Sequence, residues 1–196
     1  MTHYFSEEPS AASRPGSVQL VLPDLHLKLE TDAGVFSPER VDLGTKILLE
    51  SVPAPPQDGD LLDLGCGYGP IALTLASRAP EATVWAVDVN RRSLELTSRN
   101  AATARLYKVS PVMPDDVPDD VKFRVIWSNP AIRIGKAALH EMLTRWLSRL
   151  TDDGAAYLVV QKHLGSDSLQ RWLGEQGWQA TRTHSRAAYR ILKVTR

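Results

Sequence analysis

Hydrophobic residues along the chain follow two alternating patterns. Short apolar runs, such as Leu61, Leu62 and Leu64, are typical of strands buried on both faces of a parallel sheet. Segments with apolar residues at helical spacing lie between them, as at Ile71 and Leu75. We predict strands over residues 18–22, 25–30, 61–64, 82–87, 106–109, 123–127, 155–160, 178–184 and 189–194. We predict helices over residues 37–51, 91–103, 135–150 and 165–176, and one more after Pro70.

The alternation of strands and helices predicts an α/β fold with a doubly wound, mostly parallel sheet. The predicted strands at residues 178–184 and 189–194 have no helix between them. One of these two strands should therefore run antiparallel to the rest of the sheet. A small β-hairpin at residues 18–30 precedes the alternation and belongs to an N-terminal extension.

That extension is expected to cover residues 1–56, with the main domain over residues 57–196. It should contain a loose arm over residues 1–16, the β-hairpin and a helix. Ser37 can cap this helix, and Pro38 has the φ angle of a first helical position. The sequence thus predicts that the helix begins at Ser37.

The composition of the chain excludes several classes of protein. With 196 residues, 43% of them hydrophobic, the chain can form one domain with a substantial core. No apolar run approaches the length of a membrane span, and the first ten residues are polar rather than signal-like, so no membrane partner is expected. The single cysteine, Cys66, excludes an internal disulfide and fits a reducing compartment. We therefore expect a cytoplasmic protein.

The formal net charge of zero conceals an uneven distribution. Acidic residues dominate the first 60 positions, whereas every charged residue after Trp178 is basic. Such polarity could steer a nucleic acid towards one side of the fold. A solvated pair of terminal strands accounts for it equally well. Both interpretations stay open at this point.

Three glycines at alternate positions, Gly65, Gly67 and Gly69, follow the strand predicted at residues 61–64. A dinucleotide-binding turn requires a further glycine that this chain lacks. Asp63, inside the strand, would repel a diphosphate but could hold a cationic ligand directly or through water. Asp88 ends the next strand, where it can accept hydrogen bonds from ribose hydroxyls. These features favour S-adenosylmethionine over a nicotinamide dinucleotide, and no metal site is predicted.

A second group of polar residues follows the strand predicted at residues 123–127. It reads Ser-Asn-Pro-Ala-Ile-Arg at residues 128–133. In a doubly wound sheet this strand would lie beside the glycine-turn strand. The ends of both strands would then open into one crevice, where such sheets bind their ligands.

These segments together resemble the class I S-adenosylmethionine-dependent methyltransferases. The segments concerned are Asp-Leu-Gly-Cys-Gly-Tyr-Gly at residues 63–69, Asp88, and Ser-Asn-Pro-x-Ile-Arg at residues 128–133. The closer resemblance is to the methyltransferase small domain family, which includes the 16S rRNA guanine-N2 methyltransferases. Gly-Val-Phe-Ser at residues 34–37, Val-Asp-Leu-Gly at residues 41–44 and His-Tyr-Phe-Ser at residues 3–6 are also similar to that family. The resemblance covers nearly the whole chain and implies a Rossmann-like sheet of seven strands.

The resemblance implies S-adenosylmethionine as the cofactor and the N2 amine of a guanine in RNA, with 16S ribosomal RNA as the expected substrate, as the methyl acceptor. It implies that Asn129 and Pro130 are catalytic, because the amide oxygen of one and the carbonyl of the other can orient the amine nitrogen. Cofactor contacts are implied for Asp63, Gly65, Cys66, Gly67, Tyr68, Asp88, Val89 and Asn129. Substrate contacts are implied for Phe36, Ile132, Arg133 and Lys136, the last two as candidate phosphate contacts.

The chain departs from the family pattern at Ala131, where these enzymes usually have a second proline. The absence of this proline should destabilise the turn by on the order of 1 kcal/mol, and should weaken the activity without abolishing it. Ile132 stands where many relatives have an aromatic residue. The chain also lacks a clear acid after the third strand of the sheet to contact the adenine amine, with Asp115 and Asp116 as weak substitutes.

Two other functions fit the same residues. Asn-Pro turns also serve the methylation of a glutamine amide in proteins. Ile132 argues mildly against that function, because an aromatic residue is usual at its position in the enzymes concerned. Alternatively, the chain is a degenerate cofactor-binding module that binds RNA without catalysis, for which Ala131 is the argument. The expected partner is ribosomal RNA or the small ribosomal subunit. Docking would use the N-terminal strands, the basic C-terminal hairpin or self-association into a homo-oligomer.

Overall fold

The computed structural model describes residues 7–196. Its strands are β1 (Gly16–Leu22), β2 (Leu25–Thr31), β3 (Asp60–Leu64), β4 (Thr83–Val87), β5 (Val109–Val112), β6 (Phe123–Ser128), β7 (Leu150–Gln161), β8 (Gln179–Arg186) and β9 (Tyr189–Thr195). Its helices are α1 (Leu43–Ser51), α2 (Pro70–Arg78), α3 (Arg91–Thr103), α4 (Lys136–Leu147) and α5 (Ser166–Glu175). The segment at residues 3–6 that resembles the methyltransferase family lies outside the described residues.

Seven strands form the main sheet in the order β5-β4-β3-β6-β7-β9-β8. β3 pairs in parallel with β4 and β6, and β6 pairs in parallel with β7. β9 runs antiparallel to both of its neighbours. This arrangement confirms the predicted doubly wound, mostly parallel sheet with an antiparallel C-terminal strand. It also places β3 beside β6, so that their carboxyl ends share one edge.

Apolar residues cover both faces of the sheet. On one face, Leu61 and Trp127 pack in a cluster with α1, α2 and the β1–β2 hairpin. On the other face, Leu62 and Ile126 pack in a cluster with α4 and α5. Neighbouring residues of β3 and β6 thus point to opposite faces, which explains why both strands are apolar throughout.

Helix α1 begins at Leu43, so the predicted start at Ser37 is wrong. Ser37 has a φ of 50° and therefore lies in the left-handed region, which is not the conformation of a helix cap. Asp42 caps the helix instead, because its Oδ2 accepts a hydrogen bond from the backbone N–H of Thr45 at 3.1 Å. β5 also begins later than predicted, since the N–H of Leu106 donates to the Ala101 carbonyl and closes the end of α3.

The described part of the N-terminal arm is fastened to the fold, in contrast to the loose arm that we predicted. The N–H of Arg91 donates to the Glu7 carbonyl at 3.0 Å, and the guanidinium of Arg92 donates to the Ala11 carbonyl at 2.9 Å. The hydroxyl of Ser13 donates to the buried carboxylate of Asp32 at 2.7 Å. The arm therefore crosses the beginning of α3, beside the edge where β4 ends.

Candidate active site

The glycine turn between β3 and α2 is bound to the end of β4. The N–H groups of Gly65 and Cys66 donate to the Val87 carbonyl at 2.8 and 3.0 Å. Gly65 and Gly67 have φ angles of 81° and 55°, in the region that glycine adopts at no steric cost. A Cβ on either would meet no atom within 4 Å. The turn therefore presents bare backbone to open space at the edge of the sheet.

Asp88, just after β4, holds this turn through its carboxylate. Its Oδ2 accepts from the N–H of Gly67 at 2.8 Å, and its Oδ1 accepts from the N–H of Asn90 at 2.9 Å. Burial raises the pKa of Asp88 above its ordinary value. The two oxygens have about four lone-pair positions, of which the N–H groups of Gly67, Asn90 and Val89 use at most three, so the side chain can still accept a hydrogen bond from a ligand hydroxyl.

Asp63 lies beneath the glycine turn, where it is fully buried. Its Oδ2 accepts from the N–H of Ala72 at 2.8 Å, and its Oδ1 has no hydrogen-bond partner among residues 7–196. Burial raises the pKa of this carboxyl well above its usual range. Asp63 therefore holds the start of α2 through Ala72, and its contact with a ligand, directly or through water, stays a prediction.

Asn129, one residue past β6, is held by the start of α1. Its Nδ2 donates to Asp42 Oδ2 at 2.8 Å and to Thr45 Oγ1 at 3.0 Å. An ionised carboxylate can only accept, so the amide nitrogen must face Asp42 and the amide oxygen must point the other way. No described residue donates to this oxygen. Asp42 and Thr45 are site residues that the sequence reasoning missed.

The turn after Asn129 is an inverse γ-turn centred on Ala131. Ala131 has φ −71° and ψ 74°, and the N–H of Ile132 donates to the Pro130 carbonyl at 2.8 Å. The Pro130 carbonyl thus already accepts one backbone hydrogen bond and keeps one lone pair for a ligand. The hydroxyl of Ser128 donates to the Leu64 carbonyl at 2.6 Å, which joins the ends of β6 and β3.

An open cleft of about 700 Å³ runs along this edge of the sheet. On the side of β3 and β4 it is lined by Gly65, Gly67, Asp88, Val89, Pro114, Met142 and Arg145. On the side of β7 and β9 it is lined by Phe36, Gln161, Leu164 and Tyr189. Asn129, Pro130 and Ile132 line it where the two sides meet, at the end of β6. A small cavity of about 30 Å³ adjoins it between the glycine turn and Asn129.

Residues 26–193 match the methyltransferase small domain family. The chain belongs to this family. The predicted family is thereby confirmed, and this methyltransferase uses S-adenosylmethionine as its cofactor. The cleft fits that cofactor, because bare glycine backbone and the half-buried carboxylate of Asp88 border open space at the end of β3 and β4.

Three similar proteins illustrate the relationship. The methyltransferase is 34% identical over 195 residues to the uncharacterized protein YbxB of Bacillus subtilis, covering 98% of this chain and 97% of that protein. It is 37% identical over 139 residues to the ribosomal RNA small subunit methyltransferase C of Aeromonas hydrophila, covering 70% of this chain but 40% of the relative. The T. thermophilus 16S rRNA N2 G1207 methyltransferase (RsmC), solved in complex with AdoMet and guanosine, superposes with a TM-score of 0.77 at 22% identity.

That superposition covers 96% of this chain and 52% of the T. thermophilus protein. The chain therefore spans about half, or less, of the length of these two ribosomal RNA methyltransferases. At 22% identity the superposition describes the fold alone. Among residues 7–196, no helix is both long and apolar enough to cross a bilayer.

The predicted site residues fall into three groups in the methyltransferase. The cleft itself is lined by Phe36, Gly65, Gly67, Asp88, Val89, Asn129, Pro130, Ile132 and Arg133. The small cavity is lined by Cys66 and Tyr68, and burial raises the pKa of the Cys66 thiol, which keeps it protonated. Asp63 and Lys136 line neither space. Asp115 pairs with Arg145 at 2.9 Å, and neither Asp115 nor Asp116 lines the cleft.

Proposed function

We propose that this methyltransferase transfers a methyl group to the N2 amine of a guanine in ribosomal RNA. The proposal rests mainly on Asn129, whose amide nitrogen is bound by Asp42 and Thr45 so that its oxygen is left for the cleft. An oxygen fixed in this way suits an acceptor that carries N–H groups. The relatives that act on 16S rRNA supply the substrate class.

The chemistry of an exocyclic amine explains why an amide oxygen is useful here. The lone pair of such an amine is delocalised into the ring, so the nitrogen is a poor nucleophile. Asn129 Oδ1 and the remaining lone pair of the Pro130 carbonyl can each accept one N–H of the amine. These two bonds would hold the nitrogen in a more pyramidal form, with its lone pair directed at the methyl group.

When bound, S-adenosylmethionine supplies an electrophilic methyl group on a sulfonium whose departing thioether is neutral. The amine nitrogen, held by Asn129 Oδ1 and the Pro130 carbonyl, would take the methyl group as the neutral thioether departs, and the proton that it then releases would pass to solvent. No strong base is needed, because the methylated amine is acidic. The side chains therefore act by alignment, for which proximity arguments allow up to about 7–11 kcal/mol.

The cofactor would be held by the glycine turn and its supports. The backbone at Gly65 and Gly67 would approach it closely, and Asp88 would accept from its ribose hydroxyls. Val89 is 40% exposed beside Asp88 and offers an apolar contact for the adenine ring. Asp63 would support the cofactor site indirectly, because its carboxylate holds the start of α2.

The distribution of ion pairs supports an approach of RNA over the cleft rather than over the C-terminal hairpin. In that hairpin Arg182 and Arg190 pair with Asp167, and Arg186 pairs with Glu50. At the mouth of the cleft, by contrast, Arg133 is exposed, as is Lys136 at the start of α4, and no described carboxylate pairs with either. Phosphate contacts are therefore better assigned to these two residues.

The test is methyl transfer from labelled S-adenosylmethionine by the full chain. Total RNA, small ribosomal subunits and the protein fraction of cells that lack the gene serve as acceptors. We expect the label in RNA, recovered after digestion as N2-methylguanosine by mass spectrometry. Label on protein glutamine would replace this proposal by the alternative, and cofactor binding without transfer to any acceptor would indicate a degenerate module.

Two variants connect the test to the structure. Asn129→Ala should lower the transfer rate by about 100-fold or more, since orientation of the amine supplies several kcal/mol. Its affinity for the cofactor, measured by calorimetry, should change little. Gln179→Ala removes an exposed amide at the opposite edge of the sheet and serves as the matched control.

A further inference from the structure

Gln161 and Tyr189 form a hydrogen-bonded pair in the part of the cleft beyond Asn129. They are register partners, at the end of β7 and the beginning of β9. Gln161 Nε2 donates to the Tyr189 hydroxyl oxygen at 3.0 Å, and both residues line the cleft. Neither residue takes part in the methyl transfer proposed above.

The bond between them determines what each side chain can offer to a ligand. Because the Gln161 amide nitrogen donates to Tyr189, the Gln161 Oε1 is left as an acceptor. The Tyr189 oxygen accepts that bond, so its O–H is left as a donor. Burial raises the pKa of Tyr189, which keeps this donor protonated at neutral pH. The pair therefore presents the Gln161 Oε1 as an acceptor beside the Tyr189 O–H as a donor, and the second N–H of Gln161 is a further donor.

The first turn of α1 contacts both this pair and Asn129, and so brings them close together. Asn129 donates to the side chains of Asp42 and Thr45, on either side of Gly44. A Cβ on Gly44 would lie 2.6 Å from Tyr189 Cε1, so the tyrosine ring packs directly on this glycine. The sheet order places β6, β7 and β9 side by side, and hence Asn129, Gln161 and Tyr189 in succession.

The backbone around Tyr189 is held in a costly conformation. Ala187 and Ala188, which connect β8 to β9, have φ angles of 49° and 65°, in the left-handed region that alanine rarely adopts. The Lys162 N–H donates to the Ala188 carbonyl at 2.7 Å, which ties this turn to the end of β7. Strain of this kind persists where the surrounding structure requires it, and it is common at binding sites.

We propose that Gln161 and Tyr189 form a base-reading site that selects guanine over adenine-like bases. The edge of guanine presents two donors, N2–H and N1–H, followed by the acceptor O6. The strands present Asn129 Oδ1 and Gln161 Oε1 as acceptors, followed by the Tyr189 O–H as donor. Adenine presents an acceptor at N1, which opposes Gln161 Oε1, and it has no acceptor in place of O6 for the Tyr189 O–H. This inference rests on the proposed function and adds a basis for its base specificity.

The test uses a synthetic RNA that spans the guanine mapped as the methylation site. At that position the RNA carries guanine, 2-aminopurine or 2,6-diaminopurine, all of which keep the 2-amine. 2-Aminopurine lacks O6 and N1–H, and 2,6-diaminopurine reverses both groups. We expect wild type to prefer guanine over 2,6-diaminopurine by about 100-fold in kcat/KM, since each mismatched pair costs roughly 10-fold.

Two variants assign this preference to the pair. Tyr189→Phe keeps the ring on Gly44 but removes the donor, and Gln161→Leu removes the acceptor. Each should lower kcat/KM for guanine by about 10-fold and reduce the preference to about 10-fold or less. Tyr107→Phe removes a hydroxyl from a side chain that is 81% exposed and should change neither value. Thermal unfolding and cofactor binding, measured on every variant, report whether it is folded.

Each outcome has one interpretation. Loss of the preference in folded Tyr189→Phe or Gln161→Leu supports the base-reading site. If both folded variants keep the wild-type preference while wild type methylates guanine, the base-reading site is wrong and the proposed function stands. If neither total RNA nor small ribosomal subunits yield N2-methylguanosine, no methylation site is mapped: the proposed function fails, and the base-reading site fails with it.

Discussion

The side-chain nitrogen of Asn129 lies 2.8 Å from Asp42 Oδ2, although the two residues are 87 positions apart. The same Asp42 oxygen accepts from the N–H of Thr45 at the start of α1. One carboxylate oxygen therefore both begins a helix and fixes the orientation of an amide at the end of β6. The orientation of Asn129 depends on the first turn of α1.

Substitution of Asp42 separates these two roles. Asp42→Ala should lower the free energy of unfolding by about 1 kcal/mol through loss of the helix cap. Asp42→Ser keeps a capping oxygen but is too short to hold Asn129. We expect Asp42→Ser to retain near wild-type stability in urea and to lose about 10-fold or more in transfer rate, as one charge-assisted hydrogen bond is lost. Full activity of folded Asp42→Ser would show that Asn129 is oriented by other means.

Ala131→Pro restores the second proline of the family pattern. Ala131 has a φ of −71°, close to the angle that proline imposes, and no described residue accepts from its N–H. The substitution should therefore raise the free energy of unfolding by about 0.4–1 kcal/mol and increase the single-turnover rate. Ala131→Gly should change both quantities in the opposite direction. Equal turnover of wild type and Ala131→Pro would contradict the assignment of a loosened turn.

Ala188→Gly relieves backbone strain between β8 and β9. Ala188 has a φ of 65°, where a Cβ is unfavourable and glycine is not. We expect a gain of about 1 kcal/mol in the free energy of unfolding, measured by urea denaturation. Ala137→Gly, at an exposed position of α4, should instead lose about 1 kcal/mol. If Ala188→Gly is also destabilising, the turn is not strained.

Asp63→Asn should change the pH dependence of stability in the absence of cofactor. Burial raises the pKa of Asp63 in the folded protein, so the native state binds more protons than the unfolded state above the ordinary carboxyl pKa. Wild-type stability therefore falls as pH rises from the ordinary to the raised pKa, and stays lower above it. Asparagine carries no charge and avoids this loss.

Urea denaturation of wild type and Asp63→Asn across this pH range provides the measurement. The stability of Asp63→Asn relative to wild type should increase with pH and then level off above the raised pKa. Asp60→Asn, which changes a half-buried carboxylate at the other end of the same strand, is the control. A difference that is constant, or that shrinks as pH rises, would mean that Asp63 is not destabilising in its charged form.

The local pattern of hydrophobic residues was enough to predict the sheet and the mostly parallel direction of its strands. Apolar runs of four to six residues alternating with helical spacing leave few topologies, and the strand order confirms the one that follows. Pattern was not enough to predict where α1 begins. Ser37 and Pro38 have the chemistry of a helix start, but the left-handed φ of Ser37 is imposed by tertiary structure.

Residues brought together by distant parts of the chain could not be predicted either. Asp42 occurs in a segment similar to the family, yet nothing in that segment shows that it meets Asn129. In the sequence alone Gln161 and Tyr189 resemble ordinary strand residues, and only the pairing of β7 with β9 places them side by side. The glycine turn was accessible to sequence reasoning because its residues are contiguous. The part of the cleft around Asn129, Gln161 and Tyr189 was not, because it is built from three separate strands and a helix.

The hydrogen bond from Ser128 Oγ to the Leu64 carbonyl has a mechanical consequence. It joins the end of β3, which leads into the glycine turn, to the end of β6, which leads into Asn129, so a displacement of one strand end is passed to the other. Asp42 binds the start of α1 to Asn129 in turn, so β3, β6 and α1 are linked in series by side-chain hydrogen bonds at the border of the cleft.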